Sequence, residues 1–169
     1  GGPAVGAGLG LYYRWVELPM AYYLAADADY EGWLAESWEF EGDEAFVVTL
    51  RQDAVWSDGS PITADDLVGT YAIGRIMKWS DFNYVGEVEK VDDYTVRFTL
   101  ENPSLVARHL ILRTTIRSMG TYGDLAQQAL DLYASGAEID GEEWSALQTE
   151  ILEFRPEAII ASGPYNYTL

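Results

Sequence analysis

Two stretches of alternating apolar and polar residues flank one well-capped helix, and this arrangement constrains the fold more than any other feature of the chain. In the first stretch, residues 34–50, Trp38 and Phe40 alternate with Ser37 and Glu39. Glu41-Gly42-Asp43-Glu44 supplies a turn, after which Phe46, Val48 and Leu50 share one face and Val47 and Thr49 the other. The second stretch, residues 85–100, turns at Asp92-Asp93. Tyr94, Val96, Phe98 and Leu100 then share one face and Thr95, Arg97 and Thr99 the other. A period of two is the signature of a half-buried strand. Two such hairpins predict a four-stranded antiparallel sheet with one apolar face.

That face needs a cover, and the helix between the hairpins supplies it. Thr63 is a good N-cap and Asp66 sits three residues on as its capping-box partner. Ile62 and Leu67 occupy the hydrophobic-staple positions. Leu67, Val68, Tyr71, Ala72 and Ile76 form an apolar stripe at helical spacing, which predicts a helix over residues 64–78. The fold class is therefore α+β. Beyond Asn102-Pro103-Ser104 the pattern predicts three more helices: 105–112 capped by Ser104, 124–134 ended by Gly136, and 142–154 stopping before Pro156. Ile159 and Ile160 begin an extended segment that breaks at Gly163-Pro164 and resumes at Tyr165. No Pro/Ser/Gly linker divides the chain, so residues 1–169 read as one domain. Within it, 1–29 is a loose N-terminal segment with a short helix at 11–18. Residues 30–105 form the sheet-plus-helix core, 106–161 a helical part, and 162–169 an exit strand.

Composition narrows the function. Hydrophobic residues make up 49 % and charged residues 22 %, which fits a globular chain with a real core. Net charge is -18, from 28 acidic and 10 basic residues, so a nucleic acid or anionic membrane partner is repelled. Cysteine is absent, which excludes disulfides, thiolate metal sites and Cys nucleophiles. No apolar run approaches the roughly 20 residues that span a bilayer. Nor is there a basic segment ahead of apolar residues to make a signal peptide, so an exported parent would carry its signal upstream of Gly1. Gly6-Ala7-Gly8-Leu9-Gly10 lacks a preceding strand and is no dinucleotide loop.

Catalytic chemistry finds little to use. His109 is the only histidine, so a Ser-His-Asp relay would depend on it, and no Gly-x-Ser-x-Gly elbow presents a serine. The pairs Asp65–Asp66 and Glu142–Glu143 lie at helix N-termini, where negative charge is favoured in any case, and Asp92–Asp93 is a turn. Binding has better candidates. Trp79, Phe82 and Tyr84 crowd into one short connection after the capped helix, where they can either form a binding lip or plug the end of the sheet. Arg113 and Arg117 can each hold a carboxylate, or simply neutralise neighbouring acids. The 6 Trp and 12 Tyr also leave open a stacking surface for carbohydrate.

Several motifs are specific. Leu34-Ala35-Glu36-Ser37-Trp38-Glu39 resembles the LAESWE motif of family 5 extracellular solute-binding proteins, the oligopeptide, dipeptide and nickel-binding group. The run Val55-Trp56-Ser57-Asp58-Gly59-Ser60-Pro61-Ile62-Thr63-Ala64-Asp65-Asp66-Leu67-Val68 is similar to the family's VKWSDGxPxTAxDVV signature. Val91-Asp92-Asp93-Tyr94-Thr95-Val96-Arg97-Phe98-Thr99-Leu100 fits its next motif, and Gly163-Pro164-Tyr165 resembles a later GTGPY element. The resemblance is strong over residues 30–105 and weak over 106–161. It implies that Trp38, Trp56, Asp58, Gly59, Thr63, Asp66, Gly163, Pro164 and Tyr165 make the fold rather than touch ligand.

The resemblance further implies two lobes closing on a ligand, with this chain as an extra subdomain of the first lobe. Residues bordering the cleft would be Trp79, Phe82, Tyr84, Arg113 and Arg117. The parent would be an extracytoplasmic, membrane-anchored receptor for peptides or related small solutes. It would have no cofactor and no catalytic activity, and its partners would be the remaining lobes and an ABC transporter permease. The alternatives are an independent carbohydrate- or small-ligand-binding module using the Trp/Tyr surface, and a hydrolase using two of the acids.

Overall fold

The computed structural model describes residues 17–163. A short hairpin comes first, β1 (Ala21–Leu24) against β2 (Asp29–Gly32). The main sheet follows: β3 (Ala35–Glu41), β4 (Ala45–Leu50), β5 (Val85–Lys90) and β6 (Thr95–Leu100), all antiparallel and in the spatial order β3-β4-β6-β5. The two hairpins therefore meet through their closing strands, which are also the two most alike in sequence. Phe46 stands opposite Phe98 and Val48 opposite Val96. These four side chains, with Leu50 and Leu100, form the buried face that the alternation predicts. Removing a side chain of this size from water contributes about 1.5–3 kcal/mol each.

Helix α1 (Ala64–Ile76) lies across that face. It ends two residues before the predicted Lys78, because Lys78 adopts a positive φ of 56° and turns the chain. The stripe read from the sequence serves two buried sides rather than one. Leu67, Val68 and Tyr71 face the sheet, while Ala72 and Ile76, joined by Ile73, pack against α3 (Met119–Ala134) and α4 (Glu142–Glu153) through Tyr122, Leu125, Ala126, Ala129, Trp144, Leu147 and Ile151. Thus α1 is the middle of three layers. Small residues make this possible: a Cβ on Gly69 would lie 3.1 Å from Ala126 Cβ, and one on Gly74 would lie 2.4 Å from the Trp79 ring. At the end of α1, Trp144 Nε1 and Gln148 Nε2 each donate to the Ile76 carbonyl at 3.2 Å, satisfying an acceptor that a helix end leaves open.

α2 (Leu105–Arg113) begins at Ser104, whose hydroxyl accepts from the Ala107 amide as the sequence predicts. Three elements differ from expectation. α3 starts at Met119 rather than 124, capped by Ser118, because Gly120 and Gly123 dilute the helical signal of its first turns. Residues 21–32 form a hairpin rather than part of a loose segment; its Ala-Asp turn lacks the usual glycine and passes through Ala28 at φ 52°. Residues 159–161 join no strand ladder; they are tied to the 57–58 turn by the Ser57 amide on the Ala161 carbonyl at 2.8 Å and the Ala161 amide on Ser57 Oγ at 3.0 Å. Most of the expected 11–18 helix, along with Pro164, Tyr165 and the rest of the exit strand, lies outside the described residues; Glu17 and Leu18 are not helical.

Candidate functional site

The segment 55–66 sets the site's frame. Asp58 accepts from the Ser60 amide at 2.9 Å and the Ser60 hydroxyl at 2.6 Å, and these bonds hold its carboxyl below the ordinary range. Gly59 closes the turn at φ 87°, a conformation that only glycine adopts without strain. The chain then enters α1 through Thr63, whose amide donates to Asp66 Oδ2 at 2.9 Å, the reach-back half of the capping box. Asp66 does more than close that box. Its carboxylate also accepts from Trp56 Nε1 at 3.2 Å and from the Met119 amide at 2.8 Å. It thereby joins the turn, α1 and the start of α3. Burial is the largest influence on it and raises its pKa despite those bonds. Trp38 stays half-buried, edge-on to Tyr30 at 6.3 Å.

The aromatic connection leaves α1 at Lys78 and makes a short 3-10 turn over Ser80–Asn83. Trp79 lies on Gly74 with its amide on the Gly74 carbonyl at 3.0 Å. Trp79 and Phe82 both stand edge-on to buried Tyr71, at 6.3 and 6.0 Å. Tyr84 is half-buried at the sheet end, its carbonyl accepting from the Glu101 amide at 2.9 Å. Trp79 and Phe82 are likewise only partly exposed, so each has both a packed side and a wet side.

Between them Asp81 turns inward and is 8 % exposed. Tyr71 Oη and Thr114 Oγ1 both point at its Oδ2 from 3.4 Å and lie 3.2 Å from each other. Burial pushes the Asp81 carboxyl up, and burial beside Asp81 pushes the Tyr71 phenol well up. This small network is where the 79–84 connection meets the residue after α2.

The two arginines have different fates. Arg113 is exposed beside Thr114 and donates to His109 Nε2 at 3.0 Å. Arg117 is buried and pairs with buried Glu17 at 2.8 and 3.0 Å. The two side chains are only 10 % and 4 % exposed, so the pair is enclosed. Of the five expected cleft residues, Trp79 and Phe82 share a seat on Tyr71, Asp81 joins their connection to Thr114 beside Arg113, Tyr84 stands at the sheet end, and Arg117 is turned to Glu17 and Thr70 instead.

On the other side of Phe82 a shallow cleft lies between α1, β5 and α3. There Arg75 is sandwiched between the Phe82 and Tyr133 rings at 4.3 and 4.1 Å. Its guanidinium donates to the Gly86 carbonyl and lies 3.9 Å from Glu87, which accepts from Tyr133 Oη at 2.5 Å. With room of about 40 Å³, the cleft holds a water or two but no solute. Sequence reasoning missed Arg75, Glu87 and Tyr133, which are far apart in the chain. Among the described residues no group of three or more His, Asp or Glu is placed to hold a metal, and no helix is long and apolar enough to cross a membrane.

Comparison with known proteins fits this architecture. Among curated relatives, the peptidoglycan-binding protein YepA of Agrobacterium fabrum is 35 % identical over 89 residues, half of this chain but 14 % of the relative. The periplasmic oligopeptide-binding protein OppA of Salmonella typhimurium is 21 % identical over 151 residues, 73 % of this chain and 28 % of its own length. Among solved structures, a mannohexaose-bound periplasmic oligopeptide-binding protein of Thermotoga maritima superposes with a TM-score of 0.66 at 28 % identity, over 89 % of this chain and 25 % of that one. NikA of Brucella suis, in complex with Fe(III)-EDTA, gives a TM-score of 0.66 at 23 % identity, over 94 % of this chain and 28 % of its own. The chain thus spans a quarter or so of the solved relatives it matches, and its sheet and helices are built like part of one lobe of a periplasmic binding protein. The family model for bacterial extracellular solute-binding proteins, family 5, matches residues 29–168, and the chain belongs to that family.

Proposed function

We propose that this chain forms one wall of the solute-binding component of an ABC importer, and that the solute is a peptide. Family membership supports binding without catalysis, since the family is one of solute-binding proteins. The observation that carries the assignment of the wall is the meeting of two segments distant in sequence at Tyr71, Asp81 and Thr114. Trp79 and Phe82 flank Asp81 and Arg113 precedes Thr114, so in this reading the aromatic rings and the guanidinium would serve the same wall. Half-buried aromatic edges suit the apolar side chains and backbone of a peptide, and an exposed guanidinium suits a carboxylate. The remaining lobes and a permease would be its partners, and the setting would be extracytoplasmic. OppA relatives named for oligopeptides support the ligand class.

A binding protein of this kind gains affinity by enclosing its ligand. A single wall leaves the ligand mostly hydrated, while its contacts must still offset lost freedom of motion. The 169-residue chain should bind peptides no more tightly than about millimolar and should not hydrolyse them. Titration calorimetry with di- to pentapeptides and with a mannose oligosaccharide, plus an assay for cleaved peptide, tests this. Micromolar binding would mean that the chain holds a complete site, preferential oligosaccharide binding would displace the peptide reading, and turnover would overturn it.

A further inference from the structure

In a chain of net charge -18, most cations have an acid beside them. Arg51, Arg75, Lys78, Lys90, Arg97 and Arg117 each pair with a carboxylate. Arg155 donates to the Leu152 and Phe154 carbonyls. Among the described residues that leaves Arg108 and Arg113, both on α2, with neither kind of partner. Both flank the seam where the β1–β2 hairpin rests on α2, and the chain's only histidine lies at its centre.

Arg113 is nevertheless held. Its Nη1 lies 3.0 Å from His109 Nε2. A guanidinium can only donate, so Nε2 accepts and the imidazole carries its proton on Nδ1. That nitrogen is 2.5 Å from Tyr30 Oη on the hairpin, which accepts the proton's hydrogen bond. Burial, then Arg113 and Arg108, lower the His109 pKa, so the acceptor nitrogen stays unprotonated at pH 7. Tyr30 is fixed in turn: the Tyr23 and Trp38 rings stand against it at 5.1 and 6.3 Å, and Arg108 lies over it at 5.2 Å. The order is hairpin phenol, imidazole, guanidinium, solvent.

The Nη1 bond leaves Nε and Nη2 of exposed Arg113 without a partner among the described residues. Those two N–H groups form the parallel fork that fits a carboxylate. An arginine already held by an acceptor loses less side-chain freedom when it binds one. Nor does a resident acid compete, since the guanidinia of Arg108 and Arg113 act on both the Tyr30 and His109 rings and no carboxylate does. We propose that Tyr30 and His109 are positioning residues: they hold Arg113 so that its open fork receives a carboxylate of the solute, with Arg108 adding a second positive charge nearby. The proposal rests on the reading above that Arg113 belongs to the solute wall.

Two N-acetylated tetrapeptides of one uncharged sequence, a free acid and its C-terminal amide, test this by titration into the 15N-labelled chain at pH 7 and constant ionic strength. Kd is read from the Trp79 and Phe82 amides. The acid should bind roughly two- to fivefold more tightly, as one exposed ion pair allows, and the margin should shrink as salt is raised. His109→Phe keeps a ring against Tyr23 and Tyr30 but removes the acceptor, so the acid should lose its advantage while the amide binds as before. Arg113→Ala should do the same. His109→Gln keeps an acceptor for Arg113 and a donor for Tyr30, and should retain the advantage. Unchanged β4 and β6 amide shifts check that each variant is folded. Equal affinity for acid and amide in the natural chain would overturn the site while the wall stands. An advantage that survives in His109→Phe, or is lost in His109→Gln as well, would overturn the positioning role. Absence of shifts at Trp79 and Phe82 with either peptide would overturn wall and site together.

Discussion

Replacing Asp66 by alanine should destabilise the chain by about 3 kcal/mol, more than any other change to its capping box. The carboxylate is 5 % exposed and accepts from Trp56 Nε1, the Thr63 amide and the Met119 amide at 3.2, 2.9 and 2.8 Å. Alanine would leave three donors without that acceptor. A buried donor left unpaired costs about 1–3 kcal/mol. Thr63 and Met119 are only partly buried and can recruit water, so the low end applies to each, and the sum is about 3 kcal/mol. Relief from burying a charge works the other way. Burial dominates this carboxyl and raises its pKa, so the folded state holds the neutral acid more readily than the unfolded chain does. That contribution to stability is present at low pH and is lost as pH rises through the folded pKa. Asparagine removes the charge and keeps one acceptor oxygen, which can serve Thr63 and Trp56 while its NH2 group faces the Met119 amide. Asp66→Asn should therefore cost only about 1 kcal/mol at neutral pH, one hydrogen bond's worth. Urea denaturation of the three proteins, with unchanged slopes, measures the difference. Near-native stability of Asp66→Ala, or a cost no greater than that of Asp66→Asn, would refute the hub.

Three further outcomes follow from the packing. Thr63→Ala should cost about 1 kcal/mol in the same assay, since it weakens the cap but leaves the reach-back bond to Asp66 in place. Gly74→Ala should be destabilising by about 1–2 kcal/mol, because its Cβ would meet rigid Trp79 ring carbons at 2.4 to 2.9 Å. Gly69→Ala should be milder, because its shortest contacts are with the flexible end of Met119, and thermal melts would rank the two. Arg117→Ala should cost about 3–5 kcal/mol at pH 7 by leaving Glu17 buried and unpaired. Burial already raises the Glu17 pKa, so the loss should shrink towards pH 4 as the carboxyl takes a proton; melts at the two pH values would show whether it does.

The parts of the fold that could be read from the sequence are those in which one side of an element is buried and the other wet. β4 and β6 alternate cleanly because their outer faces carry Val47, Thr49, Arg97 and Thr99. α1 is harder to read, since one nearly continuous apolar run supplies Leu67 and Tyr71 to the sheet side and Ala72, Ile73 and Ile76 to the helix side, and the period does not separate the two. The β1–β2 hairpin hides because each strand has only four residues, too few for a period to stand out. Of the candidate site, the aromatic character of 79–84 is plain in the sequence, but its seat on Tyr71 is not. The burial of Arg117 depends on Glu17, 100 residues away, and no local signal reports it.

The central claim is that the 79–84 connection and the residues after α2 form a wall that meets solute. Amide shift mapping of the 15N-labelled 169-residue chain with a tetrapeptide raised to about 10 mM, well above the roughly millimolar limit set for a single wall, tests it most directly. The account predicts small, unsaturated shifts that cluster at Trp79, Phe82, Tyr84, Arg113 and Thr114 and shrink in a Trp79→Ala/Arg113→Ala double variant. Shifts centred instead on the hairpin, where Tyr22 stacks on Trp33 with ring centroids 5.5 Å apart, or saturation at micromolar peptide, would contradict it.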